Sequence, residues 1–377
     1  MTDTRYKGGM DAREQLSACA TSAGILASPE DRHNYRRVWA RDGVIAALGA
    51  VVAELPRGPG WLRTTLETLA GAQGPVGQVP SNVTCGESPA VSYGTAAVRL
   101  DASLWFMVGV GVLARLDGGA SETLVQAALR ARTFLRAWEG NEGGLLYVPR
   151  AGNWADEYPV LGYTLYDNAL RLWAEREVDG LLTARGQAAE ARDYMSPLRR
   201  ALLAGPTPLS WSDPAELSST FFGFGTALLA LLAPEEDARP ALDWLEAHVQ
   251  AGLLPAFSPP IRPEDPAWAH LEALAGYGLR NTPGRYHNGG LWPVVSGWAA
   301  AAARLRGRDA LADVLAAGIS AANRDGAFPE FVDAIDGTFG GTRGMAWSAA
   351  AELLATAPRP AVAALVGAAL TPPAAEA

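Results

Sequence analysis

Apolar residues recur at three- and four-residue intervals along most of the chain, and the stretches between them are loops rich in Gly, Pro and Trp. The periodicity predicts helices over Asp11–Leu26, Asp42–Leu55, Gly60–Ala72, Leu100–Arg115, Glu122–Trp138, Tyr163–Arg176 and Leu182–Leu203. Further helices are expected over Ala215–Leu232, Arg239–Gly252, Pro266–Ala275, Leu291–Arg306, Ala310–Asn323, Met345–Ala355 and Ala361–Leu370. Asp42 and Ser121 stand where N-caps belong, and Gly118 and Gly252 where helices close. Alternating, β-branched segments are nearly absent, so a sheet has little to form from.

Several of these helices, such as Val44–Val52 and Ala227–Leu232, are apolar on more than one face, which suits elements buried between two layers. Six inner helices within six outer ones satisfy that pattern: an all-α (α/α)6 barrel, with every second connection aimed at one end. No fixed period supports a superhelical repeat array. No shift of composition marks a boundary, so residues 1–377 read as a single unit, with Thr371–Ala377 as a frayed end.

Composition narrows the function. Of the 377 residues 49% are hydrophobic, enough for a large core. A formal net charge of −9 argues against nucleic acid or an anionic membrane as partner. Two cysteines, Cys19 and Cys85, make no disulfide framework, and His33, His248, His270 and His287 are too scattered for a zinc site; no cofactor is expected. Met1–Gly9 lacks the apolar core of a signal peptide, and Pro293–Ala303 is too short to span a bilayer. The expectation is a cytoplasmic protein. Gly109-Val110-Gly111 and Gly223-Phe224-Gly225 lie within helical patterns without a preceding strand, which removes the turn that would cradle a nucleotide's phosphates.

The loops carry the candidate chemistry. They read Tyr35-Arg36-Arg37-Val38-Trp39-Ala40-Arg41-Asp42, Leu100-Asp101-Ala102-Ser103-Leu104-Trp105, Asn153-Trp154-Ala155-Asp156-Glu157-Tyr158, Tyr286-His287-Asn288-Gly289-Gly290-Leu291-Trp292-Pro293 and Phe328-Pro329-Glu330-Phe331. Most place an aromatic ring beside a carboxylate, amide or arginine. A sugar has apolar C–H faces rimmed by hydroxyls, so its site calls for aromatic platforms next to fixed polar groups. Cleaving a glycosidic bond needs one carboxylic acid to protonate the leaving oxygen and one carboxylate working from the opposite face. Asp156, between Trp154 and Tyr158, has surroundings that raise a carboxyl pKa, as a general acid requires; Glu330 sits between Pro329 and Phe331. Taken alone, an Asp beside a Trp is more often a helix cap or a loop hydrogen-bonder.

Together the segments resemble the six-hairpin (α/α)6 glycosidases, above all the neutral/alkaline invertases and the glycogen-debranching amylo-α-1,6-glucosidases. Tyr286–Pro293 is close to the invertase YHNGGSWP, and Phe328–Asp333 to the WPEYYDG whose Glu is the catalytic base, a role that passes to Glu330. Trp39-Ala40-Arg41-Asp42 is similar to a motif that binds the cleaved sugar, and Leu100–Phe106 to VDSxLWW. Asp156 stands in the general-acid segment, but Glu157-Tyr158 replace the invertases' arginine pair, and Trp154-Ala155-Asp156 is nearer the debranching enzymes' TWMD. The likeness runs from about residue 35 to 350.

The resemblance implies an inverting α-glycosidase, debranching-like or invertase-like, acting on a small or oligomeric carbohydrate. Asp156 would serve as acid and Glu330 as base, with carboxyl groups roughly 6.5–9.5 Å apart to admit a water. Trp39, Arg41, Asp42, Asp101, Trp154, Tyr286, His287, Asn288 and Trp292 are the expected substrate contacts. The alternatives are a carbohydrate-binding protein that has lost turnover, or a phosphorylase or epimerase on the same barrel. Asp42 and Asp101 could instead be helix-opening residues, and Trp292 packing.

Overall fold

The computed structural model describes residues 9–30, 34–142, 144–155, 157–205, 207–213, 220–275 and 278–368. Its helices are α1 (Ala12–Cys19), α2 (Ala40–Val52), α3 (Gly58–Gly71), α4 (Leu100–Leu116), α5 (Glu122–Arg136), α6 (Leu165–Ala184) and α7 (Met195–Leu202). They continue with α8 (Gly223–Leu232), α9 (Glu235–Ala247), α10 (Trp268–Glu272), α11 (Pro293–Leu305), α12 (Asp309–Asn323), α13 (Ala346–Thr356) and α14 (Arg359–Val366). Helices α2, α4, α6, α8, α11 and α13 each pack against the next, and α13 returns to α2, closing a ring of six. Outside them, α3, α5, α7, α9 and α12 each pair with the preceding ring helix, and α1 packs on α13. This is the (α/α)6 barrel expected from the periodicity.

Composition explains which helices go inside. In α4 every residue from Leu100 to Val112 is buried, and α8 is buried from Gly223 to Leu231. Outer helices bury a single stripe, as α5 does through Leu124, Val125, Ala128, Ala131 and Leu135. Small residues let the ring close. A Cβ on Gly297 of α11 would sit 2.6 Å from the Ala351 Cα of α13, and one on Gly49 of α2 would sit 2.5 Å from Ala350 Cβ. Gly111 and Gly225, set aside above as nucleotide-loop look-alikes, face Glu177 and Tyr166 of α6 in the same way.

The connections leading into the ring helices are long, and those leading out of them are short. Among the described residues, twelve strands of two to four residues tie the long connections into five small antiparallel sheets. They include Arg37–Trp39 (paired with Asn82–Thr84), Leu161–Thr164, and Phe331–Val332 (paired with Phe339–Gly340). The expected dearth of strands therefore holds for the barrel wall and fails for the loops. Asp11 caps α1 with a reciprocal Glu14 contact, but the chain leaves the helix at Cys19 to form a hairpin, so the helix expected to run to Leu26 is shorter. Helix α6 runs on to Ala184, past the break expected at Arg176, and the predicted Leu182–Leu203 helix is reduced to α7. Helix α2 begins at Ala40, which makes Asp42 its third residue and not its N-cap.

Candidate active site

Residues at the N-terminal ends of α2, α4, α11 and α13 line a cleft of about 300 Å³. Its lining includes Trp39, Arg41, Trp154, Tyr286, His287, Trp292 and Glu330, all expected from the sequence, and Tyr35, Arg99, Glu157, Arg280 and Trp347, which were not singled out. Asp156, the expected acid, lies outside the described residues; its neighbours Trp154 and Glu157 are on the cleft wall.

Glu330 is buried at 2% exposure, at the entry to the Phe331–Val332 strand. Its Oε1 accepts from the Tyr35 hydroxyl at 2.5 Å, and its Oε2 from the Thr342 amide at 3.0 Å. Burial pushes its pKa above the ordinary carboxylate value, while the two hydrogen bonds and the charge of Arg280 hold the rise in check. A carboxylate oxygen has two acceptor sites, so each oxygen keeps one for a water. Gly341, at φ +71°, makes room: a Cβ there would lie 2.1 Å from Glu330 Oε2. Burial and the nearby Glu330 charge push the Tyr35 hydroxyl well above its usual pKa, so it stays a donor.

Much of the cleft lining is aromatic. Trp292 stacks on His287 with centroids 5.2 Å apart and on Phe331 at 5.7 Å, and its indole N–H donates to the Tyr286 carbonyl at 3.0 Å. Trp154 meets both His287 and Trp292 edge-on, at 5.0 and 5.1 Å. The buried indole N–H groups of Trp154 and Trp347 have no hydrogen-bond partner among the described residues. Unpaired buried donors on a cleft wall suit a ligand that brings acceptors. The double glycine of the Tyr286–Pro293 loop is a packing device: a Cβ on Gly290 would come within 2.4 Å of the Tyr286 carbonyl.

Beneath the cleft, three ring helices each place a carboxylate in their first turn: Asp42 on α2, Asp101 on α4 and Asp167 on α6. That is the favourable end of the helix dipole for a negative charge. Arg41 ties two of them together, 3.0 Å from Asp101 Oδ2 and 3.3 Å from Asp42 Oδ2. Burial raises the pKa of Asp42, with Arg41 opposing, and neither of its oxygens has a hydrogen-bond partner among the described residues. Asp101 also accepts from the Tyr166 hydroxyl at 3.2 Å. Neither Asp42 nor Asp101 lines the cleft, so Arg41 is the member of this group that faces a ligand.

Asn288 is the clear correction. It is fully buried, with its Nδ2 on the carbonyls of Ile261 and Asn281 and its Oδ1 on the Ile261 amide. Both amide donors are spent on the protein and Asn288 does not line the cleft, so it braces the connections around it. Arg280 lies over the Tyr286 ring at 4.6 Å and forks onto Glu157, with Nε 3.0 Å from Oε2. No group of described His, Cys, Asp or Glu residues could hold a metal ion.

Residues 212–357 match the family profile of the alkaline and neutral invertases. Comparison with curated proteins gives no match. Among solved structures, the mannosylglycerate hydrolase of family GH63 from Thermus thermophilus, in complex with glucose, is 19% identical with a TM-score of 0.67, over 91% of this chain and 98% of that one. An uncharacterized conserved protein from Thermus thermophilus gives 20% and 0.68 over the same shares. A structure described as a wild-type glycosidase gives 16% and 0.59, over 94% and 96%. At these identities the structural likeness is one of fold, and the (α/α)6 toroid is shared end to end. The chain thus shares its fold with (α/α)6 glycosidases, and its invertase-like segment carries Tyr286 through Glu330.

Proposed function

We propose that the chain hydrolyses an α-glucosidic bond in a small glycoside by a single displacement that inverts the anomeric carbon. The observation that carries this is Glu330: a buried carboxylate on the cleft wall, held by Tyr35 and Thr342, with its pKa raised. A raised pKa makes the ionised form a stronger base, which suits removal of a proton from water. In this reading Asp156 gives its proton to the glycosidic oxygen as the bond from that oxygen to the anomeric carbon breaks. Water attacks that carbon from the other face and yields its proton to Glu330. Arg41 and the indoles of Trp154 and Trp347 supply donors to the sugar hydroxyls, and Trp292 with His287 supplies the apolar platform.

A cleft of about 300 Å³ is at the small end of ligand sites, which favours a mono- or disaccharide-sized glycoside over a branched polymer. Invertase-like activity and hydrolysis of short α-1,6-linked glucosides both fit. The structural relatives include a mannosylglycerate hydrolase solved with Tris and D-glycerate, so glycosides of a small hydroxy acid belong beside them. The test is sugar release from sucrose, isomaltose, panose, a limit dextrin and mannosylglycerate. Turnover of one of the small glycosides, abolished in Glu330→Gln and Asp156→Asn, supports the reading. Sugar binding without turnover across the panel would leave a carbohydrate-binding protein instead.

A further inference from the structure

Asp101, expected among the substrate contacts, is fully buried and does not line the cleft. What it touches is Arg41. Arg41 Nη1 donates to Asp101 Oδ2 at 3.0 Å, from α2 to α4, and Arg41 is the group that reaches the cleft wall. Asp101 is itself held from two helices. The same Oδ2 accepts from the Tyr166 hydroxyl of α6 at 3.2 Å. That hydroxyl in turn accepts from the indole N–H of Trp105, one turn along α4 from Asp101, at 2.9 Å.

Charge balance does not call for this contact. Asp42, 3.3 Å from Arg41 Nη2, already sets one carboxylate against the one guanidinium. A second buried carboxylate carries a desolvation cost that neutralising Arg41 does not require. What Asp101 adds is direction. An arginine side chain has many rotamers, and carboxylates on Nη1 and Nη2 together leave its planar fork one orientation. Arg41 is 8% exposed, its Cζ lies 5.6 Å from the centroid of the Trp347 ring, and its Nε has no hydrogen-bond partner among the described residues. We propose that Asp101 is a positioning residue for sugar recognition: it aims the remaining N–H groups of Arg41 at one hydroxyl of the sugar in the cleft. That hydroxyl then becomes a condition of binding.

This proposal rests on the reading of the cleft as a glucoside site, and analogues lacking a single hydroxyl separate the two. The probes are glucose and its 2-, 3-, 4- and 6-deoxy forms, with dissociation constants read from tryptophan fluorescence. In wild type, one deoxy form should bind at least about tenfold more weakly than glucose, since it leaves a charged donor unpaired. In Asp101→Asn, glucose should weaken about tenfold, because the donor is no longer held in place. The deficit of that same deoxy form should then shrink below about threefold. Equal binding of all five sugars by wild type, a parallel loss of all five in the variant, or an unchanged profile overturns the positioning role and leaves the glucoside reading standing. Asp42 still balances Arg41 in this variant. If it nevertheless does not fold, Asp101→Ser, which leaves room for a water on Arg41, is read in the same way. Wild-type protein that binds none of these sugars overturns the glucoside reading and this proposal with it.

Discussion

The Tyr35 hydroxyl donates to Glu330 Oε1 at 2.5 Å, across 295 positions of sequence. Tyr35 precedes the first ring helix and Glu330 the last, so the contact spans the seam where the ring closes. Because the hydroxyl stays protonated, its proton stabilises the ionised base. Tyr35→Phe should therefore move the acidic limb of the kcat/KM–pH profile upward by about one unit, the size of one hydrogen bond to a charged group. An unmoved limb would show that Glu330 does not own it.

Gly341 tests the same carboxylate by steric means. A methyl placed 2.1 Å from Glu330 Oε2, on a residue at φ +71°, must displace the carboxylate or the Phe339–Gly340 strand. Gly341→Ala should lower kcat at least tenfold with a smaller change in KM, because the base moves and the platform of Trp292 and His287 does not. Steady-state kinetics on the turned-over glycoside check it; a rise in KM alone would contradict it.

Asp167 carries a signature in stability. Burial, then the charge of Asp101, push its pKa up to about 7. The folded state then binds a proton that the unfolded chain has released by about pH 4–5. Its contribution is favourable at low pH and is lost as pH rises from there toward 7, the opposite of an ion-paired aspartate. In Asp167→Asn this loss disappears, so urea unfolding at pH 5 and pH 8 should show a smaller drop in stability than wild type. An unchanged or larger drop would mean that Asp167 is not held protonated.

The Glu157–Arg280 pair walls the cleft beside Tyr286. Lysine keeps the charge but cannot make the fork or lie flat on the ring. Arg280→Lys should raise KM by about tenfold, one hydrogen bond's worth, with kcat changed less. A selective loss of kcat would instead give Arg280 a part in the chemistry.

Much of the fold was legible in the sequence, because the ring helices are apolar all round and the outer ones along one stripe, and both patterns have a period that survives in a linear reading. The strands were not legible: pairs such as Phe331–Val332 with Phe339–Gly340 are too short for alternation to register. The cleft was legible where an aromatic residue sits beside a polar one in the chain, as at Trp39, Trp154, His287 and Trp292. It was missed where the partner is distant. Tyr35 and Arg280 gain their meaning from Glu330 and Glu157, 295 and 123 positions away. Trp347 reads as one more core residue of α13, and Asp167 as an ordinary first-turn aspartate. Asn288 misled in the other direction: it stands in the Tyr286–Pro293 motif, yet its side chain is spent on Ile261 and Asn281 of the neighbouring connections.

The central claim, that Glu330 activates a water for direct attack on the sugar, is tested most directly by the first anomer released. Proton NMR of the fresh reaction, read before mutarotation, should show β-glucose from an α-glucoside, and Glu330→Gln should remove the signal. α-Glucose appearing first would mean a covalent, retaining mechanism and would contradict the account.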